Sequence, residues 1–221
     1  MLVLTTAFLL GILHAFGPDH LAAVSTFVSQ RRRLSSALMV SLRWGAGHLS
    51  AVLLLGVLIA ALAVPVPERF EPYAEFLVGL VLVFVGGLSL RRSFRARKLH
   101  FHQHSHGSLV HSHLHSHAHG EEHFDNHAAT VTGVLHGLAG AVPALALFPI
   151  AAMESPWLMV AYLGVFGLGV MLGMAGYCLA LGGLIRTFSD ALLERWVQPV
   201  IGTSSCALGV VWMIRTGLLV P

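Results

Sequence analysis

The chain has 221 residues, of which 56% are hydrophobic and only 10% are charged, and its mean hydropathy is +0.77. This composition excludes an ordinary soluble domain and predicts an integral membrane protein. The formal net charge of +3 comes from basic clusters beside apolar segments. A basic groove with interleaved aromatic residues is missing from the sequence, so we expect no nucleic-acid partner.

Six apolar stretches are long enough to cross a lipid bilayer as helices, which needs roughly 20 residues each. They lie at residues 2–29, 37–63, 73–90, 128–153, 157–185 and 196–219. The first stretch lacks the basic segment and cleavage site of a removable signal peptide, so we expect it to be retained. Cys178 and Cys206 fall inside apolar stretches and are expected to be packing residues. The predicted fold is all-α, with six transmembrane helices.

The distribution of Lys and Arg between the loops predicts the orientation of these spans. One side of the membrane receives Arg31, Arg32, Arg33, Arg43, Arg91, Arg92, Arg95, Arg97, Lys98, Arg186 and Arg195. The other side receives only Arg69 and Arg215. By the positive-inside rule the first side is cytoplasmic. We therefore expect a multi-pass protein of the inner (plasma) membrane, with both termini outside.

Three short matches in the same order indicate that the chain has two homologous halves. Gly11-Ile12-Leu13-His14 matches Gly133-Val134-Leu135-His136, Gly45-Ala46-Gly47 matches Gly167-Leu168-Gly169, and Gly79, Gly86 and Arg92 match Gly202, Gly209 and Arg215. Because each half has three spans, the second half enters the membrane from the opposite side. The predicted organisation is a 3+3 inverted repeat, typical of transporters, with residues 1–92 and 128–221 as the repeats and 93–127 as the loop between them.

The first and fourth spans each contain a helix-breaking sequence. The sequences are Gly17-Pro18 and Gly140-Ala141-Val142-Pro143, which occupy corresponding places in the two halves. Inverted-repeat transporters commonly bind substrate at such broken helices. Ordinary Gly and Pro, tolerated because neighbouring helices satisfy the backbone, are the alternative. We therefore predict that helices 1 and 4 are broken.

The first span carries His14, Asp19 and His20, although ionisable groups are costly in a membrane and usually mark a functional site. On an unbroken helix these side chains would diverge. Pro18 removes the amide that would bond the His14 carbonyl, and Gly17 tolerates unusual dihedral angles, so the chain can turn the three side chains inward. Imidazole and carboxylate without thiolate favour a borderline divalent cation. Asp19 acting only as a helix cap is the alternative.

Two further histidines in the spans, His48 and His136, are candidates to complete a ligand shell. Each by itself is at least as well explained as a hydrogen-bonded interior histidine. Because His14, Asp19 and His20 also lie in a predicted span, the occurrence of two more histidines in the spans favours a metal site. The predicted metal ligands are therefore His14, Asp19, His20, His48 and His136.

These residues carry a resemblance to a known family. His14, four residues and then Asp19-His20 resembles the HxxxxDH signature of the nickel/cobalt transporter family, and Gly47-His48-Leu49-Ser50 resembles its second histidine motif. The shorter length, Leu21-Ala22-Ala23-Val24-Ser25-Thr26 and His136-Gly137-Leu138-Ala139-Gly140 are more similar to the related membrane urease-accessory and nickel/cobalt efflux proteins. The resemblance implies that these motif residues select the metal. The fifth span lacks the later acidic motif of the larger transporters.

The loop between the repeats is rich in histidine. Its eleven histidines are His100, His102, His104, His106, His111, His113, His115, His117, His119, His123 and His127. This composition predicts a segment that is disordered without metal and binds several ions weakly and nonselectively. On the cytoplasmic side it would buffer metal or pass it to a metallochaperone. A passive linker is the alternative.

The sequence therefore predicts a transporter of Ni²⁺ or Co²⁺, with the metal as substrate, no prosthetic group and no enzymatic activity. One alternative is a non-transporting accessory protein that handles metal for urease or hydrogenase maturation. A weaker alternative is an acyltransferase of the HxxxxD type, in which Asp19 would orient His14 as the base. No basic phosphate-binding motif lies near this pair. The direction of transport, the coupling ion and homo-oligomerisation stay open.

Overall fold

The computed structural model describes residues 1–62, 69–96, 102–106, 109–113, 121–139 and 155–217. Helices dominate these ranges: α1 (Leu2–Ala15), α2 (Pro18–Val28), α3 (Leu34–Leu62), α4 (Phe70–Ala96), α5 (Glu121–Leu138), α6 (Pro156–Ile185) and α7 (Asp190–Arg215). A short antiparallel hairpin, β1 (His102–His106) and β2 (Leu109–His113), lies between α4 and α5. Helix α7 includes a π-helical turn at Leu193–Val197.

Helices α3, α4, α6 and α7 are each long and apolar enough to cross a membrane, and the bent pair of α1 and α2 forms a fifth candidate span. They correspond to five of the six predicted spans. The remaining predicted span, 128–153, begins within α5, but residues 140–154 lie outside the described part of the chain. The count of six spans and the break at residues 140–143 therefore stay predictions.

Regular secondary structure occurs at several places within the predicted loop at 93–127, and the limits of the loop stay a prediction. Helix α4 continues to Ala96, and α5 begins at Glu121, before the predicted start of the second repeat. Between them, β1 and β2 pair in register, with His102 opposite His113 and His104 opposite His111.

The long helices pack in pairs around a short central one. Helix α1 packs on α6, α3 packs on both α5 and α6, and α4 packs on α7. Helix α2 contacts all five helices from α3 to α7, and seven of its eleven residues are buried. A helix that ends at membrane depth is tolerated when protein surrounds it, because neighbouring elements shield its terminal backbone groups from lipid.

Glycines bring the backbones of paired helices close together. Gly11 of α1 and Gly169 of α6 each lie against the backbone of the other helix, and an added Cβ would overlap a carbonyl oxygen there. Gly47 of α3 and Gly133 of α5 pack against each other's helices in the same way. Small residues permit such close helix contacts in membranes, where van der Waals packing drives association.

A second pair of glycine contacts joins α4 to α7. Gly79 and Gly209 lie against each other, as do Gly86 and Gly202, with the carbonyl oxygen of one glycine facing the Cα of the other. Ser205 Oγ, fully buried between the two helices, donates to the Leu82 carbonyl at 3.0 Å. These contacts make α4 and α7 a tightly packed pair.

The basic ends of several helices meet at one end of the molecule. Arg32, just beyond α2, donates from Nη1 to the carbonyl oxygens of Ile185 at 3.2 Å and Phe188 at 2.9 Å. Its other terminal nitrogen pairs with the Asp190 carboxylate. Arginine near a helix C-terminus satisfies carbonyls that lack partners within the helix. The ends of α2 and α6 and the start of α7 are therefore joined by hydrogen bonds.

Helix α4 reaches the same end. Arg92 Nη1 donates to Gln30 Oε1 at 2.7 Å, and Ser93 Oγ donates to the Glu194 carbonyl at 2.7 Å. Basic residues that we assigned to one side of the membrane thus belong to helix ends that lie together. Which side of the membrane this end faces stays a prediction from the positive-inside rule.

Candidate metal centre

The first span is broken where the sequence predicts it. Helix α1 ends at Ala15 and α2 begins at Pro18, and the two helices are bent by 60°. The Gly17 amide donates to the His14 carbonyl at 2.9 Å, closing the last turn of α1, and Pro18 at the first position of α2 needs no amide partner. The break turns His14 and His20 toward the same space.

Gly17 contributes space rather than unusual dihedral angles. Its φ of −54° and ψ of 135° are accessible to any residue, so the expectation that its conformational freedom permits the turn is wrong. A Cβ at this position would lie 2.8 Å from Asp19 Oδ1 and 3.5 Å from His20 Nδ1. Glycine therefore leaves room for the Asp19 carboxylate above the turn.

The Asp19 carboxylate accepts a hydrogen bond from the side chain of the next residue, His20. His20 Nδ1 donates to Asp19 Oδ2 at 2.9 Å, and no side chain caps α2 by a hydrogen bond, so Asp19 does not act as the helix cap. The carboxylate lies in the first turn of α2, where the helix dipole favours negative charge. The acyltransferase pattern would pair Asp19 with His14 instead. Because Nδ1 of His20 carries the proton, its Nε2 has the lone pair.

Three histidines converge from three helices. The ring centroid of His14 at the end of α1 lies 4.4 Å from that of His20 on α2 and 5.5 Å from that of His48 on α3. The rings of His20 and His48 are also 5.5 Å apart. His20 and His48 are buried, and His14 is half-buried.

The fourth histidine approaches from α5. His136 is buried, and its ring centroid lies 5.3 Å from that of His20. Its Nδ1 lies 2.8 Å from the Thr132 carbonyl oxygen one turn earlier, and since a carbonyl only accepts, Nδ1 is the donor. A histidine whose Nδ1–H is held in this way presents the lone pair of Nε2 to a metal. We call His14, Asp19, His20, His48 and His136 the histidine cluster.

Two aromatic residues that the sequence did not predict, Trp44 and Phe166, lie beside the histidine cluster. Trp44 is fully buried, stacks on His48 at 5.2 Å, and contacts the rings of His20 at 5.0 Å and His136 at 5.9 Å. Phe166 lies 5.6 Å from the ring of His14. The spacing of four residues between Trp44 and His48 places them on one helix face and was the signal available in the sequence.

Several ring nitrogens of the histidine cluster have no hydrogen-bond partner among the described residues. Nε2 of His14, Nε2 of His20 and both ring nitrogens of His48 are buried and have no hydrogen-bond partner among the described residues. A buried polar atom without a partner is costly, and an imidazole lone pair is satisfied by a borderline divalent metal.

The ligand atoms form two groups of three. Those of His14, His20 and His48 lie within 4.8 Å of one another, and those of Asp19, His20 and His136 do so as well. Metal bonds to imidazole and carboxylate are about 2.0–2.2 Å long, so ligand atoms on one ion lie no more than about 4.4 Å apart, and each group would move closer together to bind it. The structure brings all five predicted ligands together.

The histidines of the loop lie apart from this cluster in the chain and are described only in part. His102, His104, His106, His111 and His113 lie in β1 and β2, and His123 and His127 lie in α5. His100, His115, His117 and His119 lie outside the described residues. His127 is exposed on the same helix that carries His136. Helix α5 thus connects the loop directly to the histidine cluster.

The chain is similar to the urease accessory protein UreH of Bacillus sp. (strain TB-90), with 34% identity over 98% of this chain and 92% of that protein. It is also 28% identical to chloroplast protein FOR GROWTH AND FERTILITY 1 of Arabidopsis thaliana, over 93% of this chain and 58% of the relative. Chloroplast protein FOR GROWTH AND FERTILITY 2 of the same plant is 28% identical over 86% and 48%, respectively. No family model and no solved structure matches the chain.

The similarity to UreH extends over nearly the whole of both proteins. It therefore covers the helices that carry the histidine cluster as well as those that pack around it. The plant proteins are longer, and the chain spans about half of their length. Together with the apolar helices, this identifies a multi-pass membrane protein. The chain belongs to the family of the urease accessory protein UreH.

Proposed function

We propose that this protein moves a divalent transition-metal ion, Ni²⁺ or Co²⁺, across the plasma membrane through the histidine cluster. The observation that supports this best is the convergence of four imidazoles and one carboxylate on the break between α1 and α2. The thiols of Cys178 and Cys206 belong to neither ligand group, and a set of imidazoles with one carboxylate favours a borderline cation over Cu⁺. Ionisable groups buried in a membrane protein characteristically line a substrate path.

The six-span inverted repeat is part of this proposal, and the glycine contacts support it. The sequence matches pair Gly11 with Gly133 and Gly47 with Gly169. An operation that exchanges the halves would therefore convert the contact of Gly11 with the helix of Gly169 into the contact of Gly133 with the helix of Gly47. Both contacts are observed. Such reciprocity is expected of two homologous halves related by a two-fold axis.

The aromatic contacts of the histidine cluster follow the same relation. His14 matches His136 in the repeat, and at the same offset Trp44 corresponds to Phe166. The ring of His14 lies 5.6 Å from Phe166, and the ring of His136 lies 5.9 Å from Trp44. The histidine cluster would then lie at the interface of the repeats, which is where inverted-repeat transporters bind substrate.

The similarity to UreH suggests which process uses the transported metal. UreH is a urease accessory protein. We infer that this chain supplies metal for urease maturation, with the histidine-rich loop on the cytoplasmic side receiving or buffering the ion and a metallochaperone as its partner. This role concerns a nickel-dependent process, and we therefore favour Ni²⁺ over Co²⁺.

Flux of radiolabelled nickel and cobalt into proteoliposomes tests the transport proposal. We expect His20→Ala to abolish flux, because His20 belongs to both ligand groups. Asp190→Asn is the control, since the exposed Asp190 carboxylate pairs with Arg32 away from the histidine cluster, and it should keep the wild-type rate. Wild-type flux from a correctly inserted His20→Ala protein would exclude the proposal.

A non-transporting accessory protein is the second candidate, and the description of UreH as an accessory protein favours it. Replacing the eleven loop histidines by asparagine separates the two functions. A transporter should keep flux with altered affinity or regulation. An accessory protein that holds metal on this loop should lose its effect on urease activation while the cellular metal content stays unchanged.

A further inference from the structure

The two ligand groups of the histidine cluster share one residue. His20 belongs to the group with His14 and His48 and also to the group with Asp19 and His136. We infer that the cluster binds one metal ion at either of two adjacent positions, and that the ion passes between them with His20 as the common ligand. This inference rests on the proposed transport function, because it describes how the same site would move its substrate.

The chemistry of His20 limits the two positions to one ion at a time. Its Nδ1 donates to Asp19 Oδ2, so the neutral ring has a single lone pair, on Nε2, and an ion at the first position would bind there. Asp19 lies on the Nδ1 side of the ring, so an ion at the second position would bind Nδ1 while the ring proton moves to Nε2. The ring therefore cannot bind two ions simultaneously without losing its second proton. Two divalent cations in adjacent sites of a water-poor interior would also repel each other strongly. Occupancy of one position thus excludes the other.

The positions differ in charge and in donor atoms. His14, His20 and His48 supply three neutral imidazole nitrogens, whereas the second group replaces one nitrogen by the carboxylate oxygen of Asp19. Imidazole suits borderline cations and carboxylate suits harder ones. Transfer therefore exchanges two imidazoles for one imidazole and a negative charge, and the two positions are distinguishable by the number of imidazoles around the metal.

Each position includes one of the two histidines that the proposed repeat matches. His14 and His136 are matched residues of the two repeats, and each belongs to only one of the groups. In a transporter with inverted repeats, the halves exchange conformations during the cycle. An ion held first with His14 and then with His136 would follow this exchange, with His20 as a ligand at both positions, first through Nε2 and then through Nδ1.

The ring of Trp44 lies beside both proposed positions of the metal ion. Its ring contacts His48 of the first group, His136 of the second and the shared His20, at centroid distances of 5.2, 5.9 and 5.0 Å. It is fully buried. A large aromatic ring beside both positions excludes water, so the ion exchanges protein ligands rather than hydrating midway.

The test uses the full-length chain in lipid nanodiscs, with the eleven loop histidines replaced by asparagine and a purification tag that lacks histidine. Co²⁺ is titrated, and X-ray absorption counts the imidazoles bound to it. We expect His48→Ala to bind one Co²⁺ with two imidazoles, and His136→Ala to bind one Co²⁺ with three. His20→Ala should bind none stoichiometrically. Helical circular dichroism and monodisperse elution verify folding, and His48→Phe and His136→Phe repeat the comparison with the ring volume retained.

Flux through the same variants completes the test. Each single variant keeps a binding position but lacks the transfer partner, so flux should fall roughly 10- to 100-fold or more while Co²⁺ remains bound. Loss of binding in both His48 and His136 variants, or an equal imidazole count in both, would overturn the inference in favour of one five-residue site. Failure of the wild-type histidine cluster to bind Co²⁺ at all would instead overturn the proposed function.

Discussion

At the scale of single residues, the most consequential side chain is one that is not itself a predicted metal ligand. Trp44 is fully buried and touches three of the four histidines. We predict that Trp44→Ala lowers the free energy of unfolding by about 3–5 kcal/mol, because a large buried ring is replaced by a cavity. Trp44→Phe should cost less, since an aromatic ring remains. Unfolding in mixed micelles, followed by circular dichroism, measures both.

Trp157 provides the control for this prediction. It is 84% exposed at the start of α6, and Trp157→Ala should change the free energy of unfolding by less than about 0.5 kcal/mol. Equal losses for the two tryptophans would mean that the contacts of Trp44 with the histidines do not stabilise the fold.

Asp19 orients His20 through a hydrogen bond to Nδ1. We predict that Asp19→Asn weakens Co²⁺ binding roughly 10- to 100-fold, because the amide accepts a hydrogen bond without the charge that makes His20 a stronger ligand. Isothermal titration in nanodiscs, with the loop histidines replaced, measures the dissociation constant. Asp190→Asn removes a carboxylate from the far end of α2, where it pairs with Arg32, and should leave Co²⁺ affinity unchanged. If both variants bind equally well, Asp19 has no special role.

At the scale of secondary-structure elements, glycines determine how closely the helices approach. A Cβ at Gly133 would overlap the Trp44 carbonyl oxygen, and one at Gly11 would overlap the Phe166 carbonyl oxygen. We predict that Gly133→Ala and Gly11→Ala each lower the free energy of unfolding by about 1–3 kcal/mol, because the helices must separate. The proposed repeat relates the two glycines, so the losses should be similar.

Two other glycines test whether overlap of the added Cβ with a neighbouring helix causes the loss of stability. Gly87 and Gly164 also lie within helices, but an added Cβ would have no atom within 4 Å of it outside the local helix. Gly87→Ala and Gly164→Ala should stabilise the protein by up to about 1 kcal/mol, since alanine favours helix more than glycine does. Destabilisation of the same size at all four positions would contradict the packing argument.

At the scale of the whole molecule, the charge distribution predicts which end faces the cytoplasm. Arg33 and Arg69 are both exposed and lie on opposite predicted sides. In a background without Cys178 and Cys206, we predict that Arg69→Cys reacts with a membrane-impermeant maleimide in intact cells, whereas Arg33→Cys reacts only after permeabilisation. The opposite labelling pattern would invert the orientation and place the histidine-rich loop outside.

Much of the fold was predictable because membrane solvation acts on short stretches of sequence. Long apolar runs identified α3, α4, α6 and α7, which are long and apolar enough to cross a membrane. Pro18 located the break in the first span, since proline lacks the amide that a continuous helix needs. The start of α5 at Glu121 was missed because hydropathy does not detect a polar helical turn. The hairpin register pairs His104 with His111. It could not be predicted either, because composition does not specify which residues pair.

The sequence alone determined that this is a helical membrane protein whose first span is interrupted beside His14, Asp19 and His20, because these properties follow from local hydropathy and backbone chemistry. Tertiary structure decided the partners of those residues: His48 and His136 arrive from α3 and α5, Trp44 encloses them, and Asp19 bonds His20 rather than His14. It also divided the five predicted ligands into two groups. Such choices depend on how closely separate helices pack, which no single stretch of sequence specifies.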